Sequence, residues 1–175
     1  MGFEQETLIY VEQEDKSQAS AAARGFAQKN IQNRAYINTL GARLAMKYLA
    51  SEDINISNIY NIHSIKKILE EIDISDVMLP NIHIDVRVVF DENVIFIPKS
   101  HFEYNLVPDI YLVFHLAKDI SHVKFLGFFE PKLINKNNAN NEYYFIEKEK
   151  LSPAVDLKKY VENFNGSHQE NVSED

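Results

Sequence analysis

His83, Asp85 and Arg87 stand at alternate positions of the stretch NIHIDVRVVF, residues 81–90. An imidazole, a carboxylate and a guanidinium on one side of a strand could move a proton, ligate a metal or clamp an anion. Between and beside them stand Ile82, Ile84, Val86 and Val88. Strict alternation of this kind is what a strand with one buried and one solvated face produces. The aliphatic four are therefore expected to face a core, and His83, Asp85 and Arg87 to stand in water as pairing or interaction residues. In that setting Arg87 would hold an anion or a partner's carboxylate through its planar fork.

Two other groupings carry metal-ligand residue types. His101 and Glu103 repeat the spacing of His83 and Asp85, and His115 and His122 flank Asp119. A catalytic zinc or iron needs three protein ligands that converge. Outward-facing His83 and Asp85 do not supply them, so no metal is expected. The segment Lys99-Ser100-His101-Phe102-Glu103-Tyr104-Asn105 reads as a loop. Its Lys99, His101, Phe102 and Tyr104 join His83, Asp85 and Arg87 as candidate interaction residues, since aromatic loops are common at protein contacts.

Much chemistry is excluded. The chain contains no cysteine, which removes disulfides, thiolate nucleophiles and cysteine metal sites and fits a reducing, cytoplasmic compartment. Gly25, Gly41 and Gly127 are the glycines of the chain body, and neither GxGxxG nor GxxxxGK[ST] can be written around them, so no phosphate cradle and no cofactor is expected. GxSxG is also absent, and with it the nucleophile elbow of a serine hydrolase. A formal charge of −8 over 175 residues argues against nucleic acid and anionic membranes as partners.

The elements that must position these residues can be read from period and punctuation. Residues 1–17 carry five acidic side chains, Glu4, Glu6, Glu12, Glu14 and Asp15, and are expected as a flexible acidic tail. Its apolar island, Leu8 to Val11, would be an edge strand or a docking peptide. Residues 18–160 form one domain, helical over 18–76 and sheet over 80–160. Its long helical stretch breaks near Gly25, with Gly41 a candidate for close approach of another segment. A second helix follows Ser64. Strands are expected at 81–90, 94–98, 110–117, 122–129 and 143–147, the third and fourth central because both of their faces are apolar. Gly127 marks a bulge or a close backbone contact. Ser152-Pro153 opens a short helix, and residues 161–175 are expected as a disordered acidic tail. The fold class is α+β, with N-terminal helices packed on a mostly antiparallel sheet or partly open barrel of about five strands.

Several short motifs run through this layout: Asn38-Thr39-Leu40, Ile97-Pro98, the V-P-D-x-Y-L-V run from Val107 to Val113, Gly127-Phe128, and Tyr143 to Leu151. Together they resemble the cyanobacterial domain-of-unknown-function family DUF1822, in the form found in non-photosynthetic relatives of cyanobacteria. The resemblance implies lineage, a cytoplasmic location and an α+β or barrel-like body. It implies no catalytic residue.

The expected function is a non-enzymatic accessory or regulatory interaction domain, with a protein partner or a second copy of itself. One rival is a small-ligand-binding barrel with Tyr111, His115 and Phe125 lining its pocket. Another is an unrecognised metal-dependent or hydrolytic enzyme built on His83, Asp85, His101 or His115.

Overall fold

The computed structural model describes residues 7–54 and 66–170. Ser64 and the start of the second expected helix lie outside the described residues. The elements run β1 (Leu8–Tyr10), α1 (Gln13–Arg24), α2 (Lys29–Ser51), α3 (Lys66–Glu71), β2 (Asp76–Leu79), β3 (Ile82–Val89), β4 (Val94–Pro98), α4 (Ser100–Glu103), β5 (Ile110–Leu116), β6 (His122–Phe129), β7 (Tyr143–Glu147) and α5 (Leu157–Glu170). A five-stranded sheet has the order β1-β6-β5-β3-β2, and β4 and β7 make a separate two-stranded sheet. The fold is α+β as expected. The main sheet, however, is mixed rather than mostly antiparallel, because β3 pairs parallel to β5. Parallel neighbours need a crossover, and here β4 and α4 are that connection.

The described parts of both expected tails, residues 7–17 and 161–170, contribute to the body. β1 pairs antiparallel with β6, matching Leu8 to Lys124 and Tyr10 to His122, and Ile9 and Val11 pack on the main core. Asp15 opens α1 by accepting the Glu12 N–H at 3.0 Å. Its carboxylate is fully buried, which is tolerable because Arg43 and Lys47 of α2 both engage it. At the other end, Leu157, Tyr160, Val161 and Phe164 follow the three- and four-residue spacing of an amphipathic helix. They seat α5 on the same core, so the helix continues past the boundary drawn at residue 161.

The break expected near Gly25 separates α1 from α2, with Gly25 capping α1. Gly41 is the point where α2 crosses the sheet. A Cβ built there would lie 2.6 Å from Val88 Cγ2 and 3.5 Å from Val86 Cγ1. Gly41→Ala is therefore expected to lower stability by about 1–2 kcal/mol, the penalty of overpacking less the helix propensity gained. Val88→Ala should relieve that clash. Urea denaturation of both single variants and the double is expected to show losses well short of additive; strictly additive losses would contradict the close approach.

The main core lies between this face of the sheet and α1, α2 and α5, and includes Leu40, Leu44, Tyr48, Ile82, Ile84, Val86, Leu112 and Phe114. A second core occupies the opposite face: Ile95, Ile97 and Ile146 of the small sheet meet Val89, Tyr111, Val113 and Phe129 of the large one. The main sheet is thus covered on both sides.

Candidate functional site

That second layer decides the fate of the polar row on β3. Ile82, Ile84 and Val86 do face the main core and Val88 packs against it. The expectation that Asp85 and Arg87 stand in water is overturned: they are 1% and 5% exposed. The β4·β7 sheet and α4 roof the face that alternation marked as wet. His83 keeps a side chain 20% exposed and meets Asp76 Oδ1 at 2.6 Å. His101 is also not a loop surface residue. Residues 100–103 form a helical turn that points its imidazole, fully buried, beneath the small sheet.

These groups form one network. Asp85 Oδ2 accepts the Ser75 N–H at 2.9 Å, and Oδ1 lies within ion-pair reach of Arg87 Nε. Arg87 Nη1 lies 3.3 Å from Asp73 Oδ1, which also accepts a 2.8 Å hydrogen bond from the Asn38 amide on α2. His101 Nε2 is 2.7 Å from the Asp73 carbonyl oxygen and Nδ1 is 3.0 Å from Tyr111 Oη. A carbonyl only accepts, so Nε2 carries the proton and the Tyr111 hydroxyl donates to Nδ1. His101 Nε2 is also 4.0 Å from Asp85 Oδ2. Among the described residues, Arg87 Nη2 has no hydrogen-bond partner, and the Nε approach to Asp85 lacks hydrogen-bond alignment.

Burial sets the protonation of the network. It pushes Asp85 up to about 7; Arg87 and the Ser75 N–H pull against this, and Asp76 and Asp73 add to it. Burial and the Arg87 charge push His101 down to about 4. His83 is held above its usual range because the Asp76 contact outweighs burial. Asp73 stays below the usual carboxylate range because Arg87 and Asn38 outweigh burial.

The pH dependence follows with definite sign. The folded state resists protonating His101, so its contribution is present above about 6.5 and is lost as pH falls through about 4. The folded state favours protonated Asp85, so that contribution is present below about 3.9 and is lost as pH rises through about 7. Between pH 7 and pH 4 the two oppose each other. Asp85→Asn removes the second and leaves the first. Urea denaturation should show the variant losing about 3 kcal/mol more than the wild type between those pH values. Parallel pH profiles would contradict the assignment.

The network floors an open cleft of about 880 Å³ between α2, β3 and the small sheet. Arg87 and Asp73 lie at its base, with Asn33, Arg34 and Asn38 on the α2 wall and Phe96, Glu142 and Tyr143 opposite. Phe96 is 48% exposed and meets Tyr143 and Phe145 edge-on at 5.9 and 5.3 Å. None of Asn33, Arg34, Phe96 or Tyr143 stood out in the sequence as a site residue. Their signal is distributed over three elements that only the crossover brings together.

The remaining candidates lie outside this cleft. Lys99 sits 5.3 Å from the Tyr144 ring centroid, Phe102 packs edge-on to Tyr144 at 5.4 Å, and Tyr104 is 54% exposed. Tyr111 and Phe125 belong to different cores on opposite faces, and His115 pairs with Glu92 at 3.2 Å, so the three do not share a pocket. His122 bonds Ser121. Among the described residues no three His, Cys, Asp or Glu side chains gather as a metal site. No helix among them is long and apolar enough to cross a membrane.

The fold and the cleft together define an α+β protein whose mixed sheet carries a second, two-stranded layer and a buried guanidinium beneath an open polar groove. A family model described as Protein of unknown function (DUF1822) matches residues 9–175, and the chain belongs to that family. Two of the motif residues that resembled it, Asn38 and Tyr143, line the cleft. No curated protein and no solved structure matches the chain.

Proposed function

We propose that this protein is a non-catalytic binding domain that takes up a small polar ligand in the cleft above Arg87. One observation carries the reading. The Arg87 guanidinium is buried at the base of a roomy groove, yet Nη2 has no hydrogen-bond partner among the described residues. A buried donor left unpaired is unfavourable by about 1–3 kcal/mol. Since Nη2 is closed off from solvent in this structure, a ligand oxygen recovers that loss once a small side-chain shift opens it to the cleft. Ligand pockets typically join an apolar wall to a few convergent polar groups, and Phe96 and Tyr143 facing the two arginines match that description. A direct protein-docking role for Asp85, Arg87 and His101 is disfavoured by their burial. An accessory or regulatory role, a protein partner or second copy, a cytoplasmic location and a cyanobacterial lineage remain parts of this reading. The lack of cysteine supports the compartment.

The test is a thermal-shift screen at millimolar concentration with carboxylates, dipeptides, nucleosides and saccharides. At least one class should raise the melting temperature, as any ligand selective for the native state does. Arg87→Lys keeps the charge over Asp85 and Asp73 but removes the planar fork, and it should abolish that rise while remaining folded by circular dichroism. A silent panel, or an equal rise in the variant, would contradict the proposal.

A further inference from the structure

The cleft also constrains what chemistry it can accept, and we infer that its ligand is a neutral, hydroxyl-rich molecule of the saccharide class. The inference rests on the binding reading above and adds the ligand's identity. Among the lining residues, Asp73, Asp91 and Glu142 stand against Arg34 and Arg87. Charges this nearly balanced favour neither a strong anion nor a strong cation.

Hydrogen-bonding capacity narrows the class further. The carboxylates only accept, the guanidinium groups only donate and the amides do both. Part of that capacity is spent: Asn38 on Asp73, Arg34 on the Leu69 and Glu70 carbonyls, and Asn140 Oδ1 on the Glu142 and Tyr143 N–H groups. The Asn33 amide, the remaining Arg34 donors and the Glu142 carboxylate face the cleft with theirs. A hydroxyl is the small ligand group that donates to the first set and accepts from the second without carrying charge. Beneath them the Arg87 Nη2 hydrogens, closed off from solvent and unpartnered among the described residues, become a further donor once a side-chain shift admits a ligand oxygen. Opposite the polar wall, the exposed Phe96 ring is braced by Tyr143 and Phe145. It offers an apolar surface of the kind on which the C–H face of a pyranose packs.

Saturation-transfer NMR on the full chain tests this. The probes are glucose, galactose, N-acetylglucosamine, maltose and cellobiose, against acetate, succinate, inorganic phosphate and alanyl-alanine. At least one saccharide should show transfer, and Phe96→Ala and Asn33→Ala should each weaken its binding by about tenfold or more. Both substitutions are at the cleft wall and away from the buried network, and unchanged melting temperatures would certify their folds. Transfer to a carboxylate, phosphate or dipeptide with none to any saccharide would overturn the ligand class and leave the binding reading standing. Silence from every probe would overturn both. Saccharide transfer that survives Phe96→Ala and Asn33→Ala undiminished would place the ligand elsewhere and overturn the inference.

Discussion

Arg87→Met is expected to destabilise the protein by about 3–5 kcal/mol, the effect of breaking a buried ion pair from one side. For a chain of this size that is a fall of roughly 6–20 °C in melting temperature. The loss arises because Asp85, 1% exposed, and Asp73 keep their carboxylates while their shared cation disappears. It should also depend on pH. Burial already pushes Asp85 up to about 7, and without Arg87 nothing comparable holds its charge. At pH 5 the carboxyl can take up a proton, so the variant should lie closer to the wild type there than at pH 8. Adding Asp85→Asn should recover part of the loss at pH 8, with a coupling of about 0.5–3 kcal/mol. Thermal and urea denaturation at the two pH values check all three statements. A loss below about 1 kcal/mol, the range of exposed ion pairs, would return the polar row of β3 to water.

Gly127→Ala is the second large effect. Gly127 has φ +141°, and a Cβ there would lie 2.5 Å from the Ser152 carbonyl oxygen and 3.0 Å from Leu151 Cβ. Both the backbone strain, about 1–3 kcal/mol, and a comparable penalty for displacing neighbours apply. A total of about 2–6 kcal/mol is expected. The obstacle is backbone rather than a flexible side-chain end, so relief requires moving the 151–152 segment. That segment is tied to β6 by paired hydrogen bonds, Phe128 N–H to Ser152 O at 3.1 Å and Ser152 N–H to Phe128 O at 2.8 Å. Hydrogen exchange should show both amides losing protection together with α5, which follows directly in the chain. Gly25→Ala is the control: its new Cβ would approach no atom more closely than 3.7 Å, and stability should stay the same or rise slightly. Equal behaviour of the two variants would contradict the tight contact at Gly127.

Gly127 also shows what a sequence reveals well. A lone glycine inside an apolar strand implied a bulge or a close contact, and both are present: the β5·β6 register shifts between Val113 and Phe114, and Ser152 presses against the glycine. The inward turn of Ile82, Ile84 and Val86 was equally legible, as was the central place of β5 and β6, because a period of two reports how a strand's faces differ.

The same signal does not report how they are covered. A polar row looks identical whether water or a buried counter-charge satisfies it, so the dryness of Asp85 and Arg87 depended on β4 and β7 forming their own sheet. That arrangement is non-local and leaves no local pattern. β1 was legible as one of two alternatives, an edge strand or a docking peptide, and it is the edge strand; β2, with four residues, was too short for a period to declare itself. The parallel β3·β5 pairing carries no residue signature. α5 was different: the spacing of Leu157, Tyr160, Val161 and Phe164 was there to be read, masked by the polar residues around it. The cleft was the least legible feature, since its walls come from α2, β3, β4 and the loop before β7.

The arginine Nε–Hε signals in a 15N-labelled sample give the most direct check on a dry guanidinium waiting for a ligand oxygen. Arg87 should exchange its Nε proton far more slowly than an exposed arginine such as Arg24 in the free protein, and its signal should move when a cleft ligand is added to saturation. Exchange as fast as Arg24, or a signal that stays put with the cleft filled, would contradict the account.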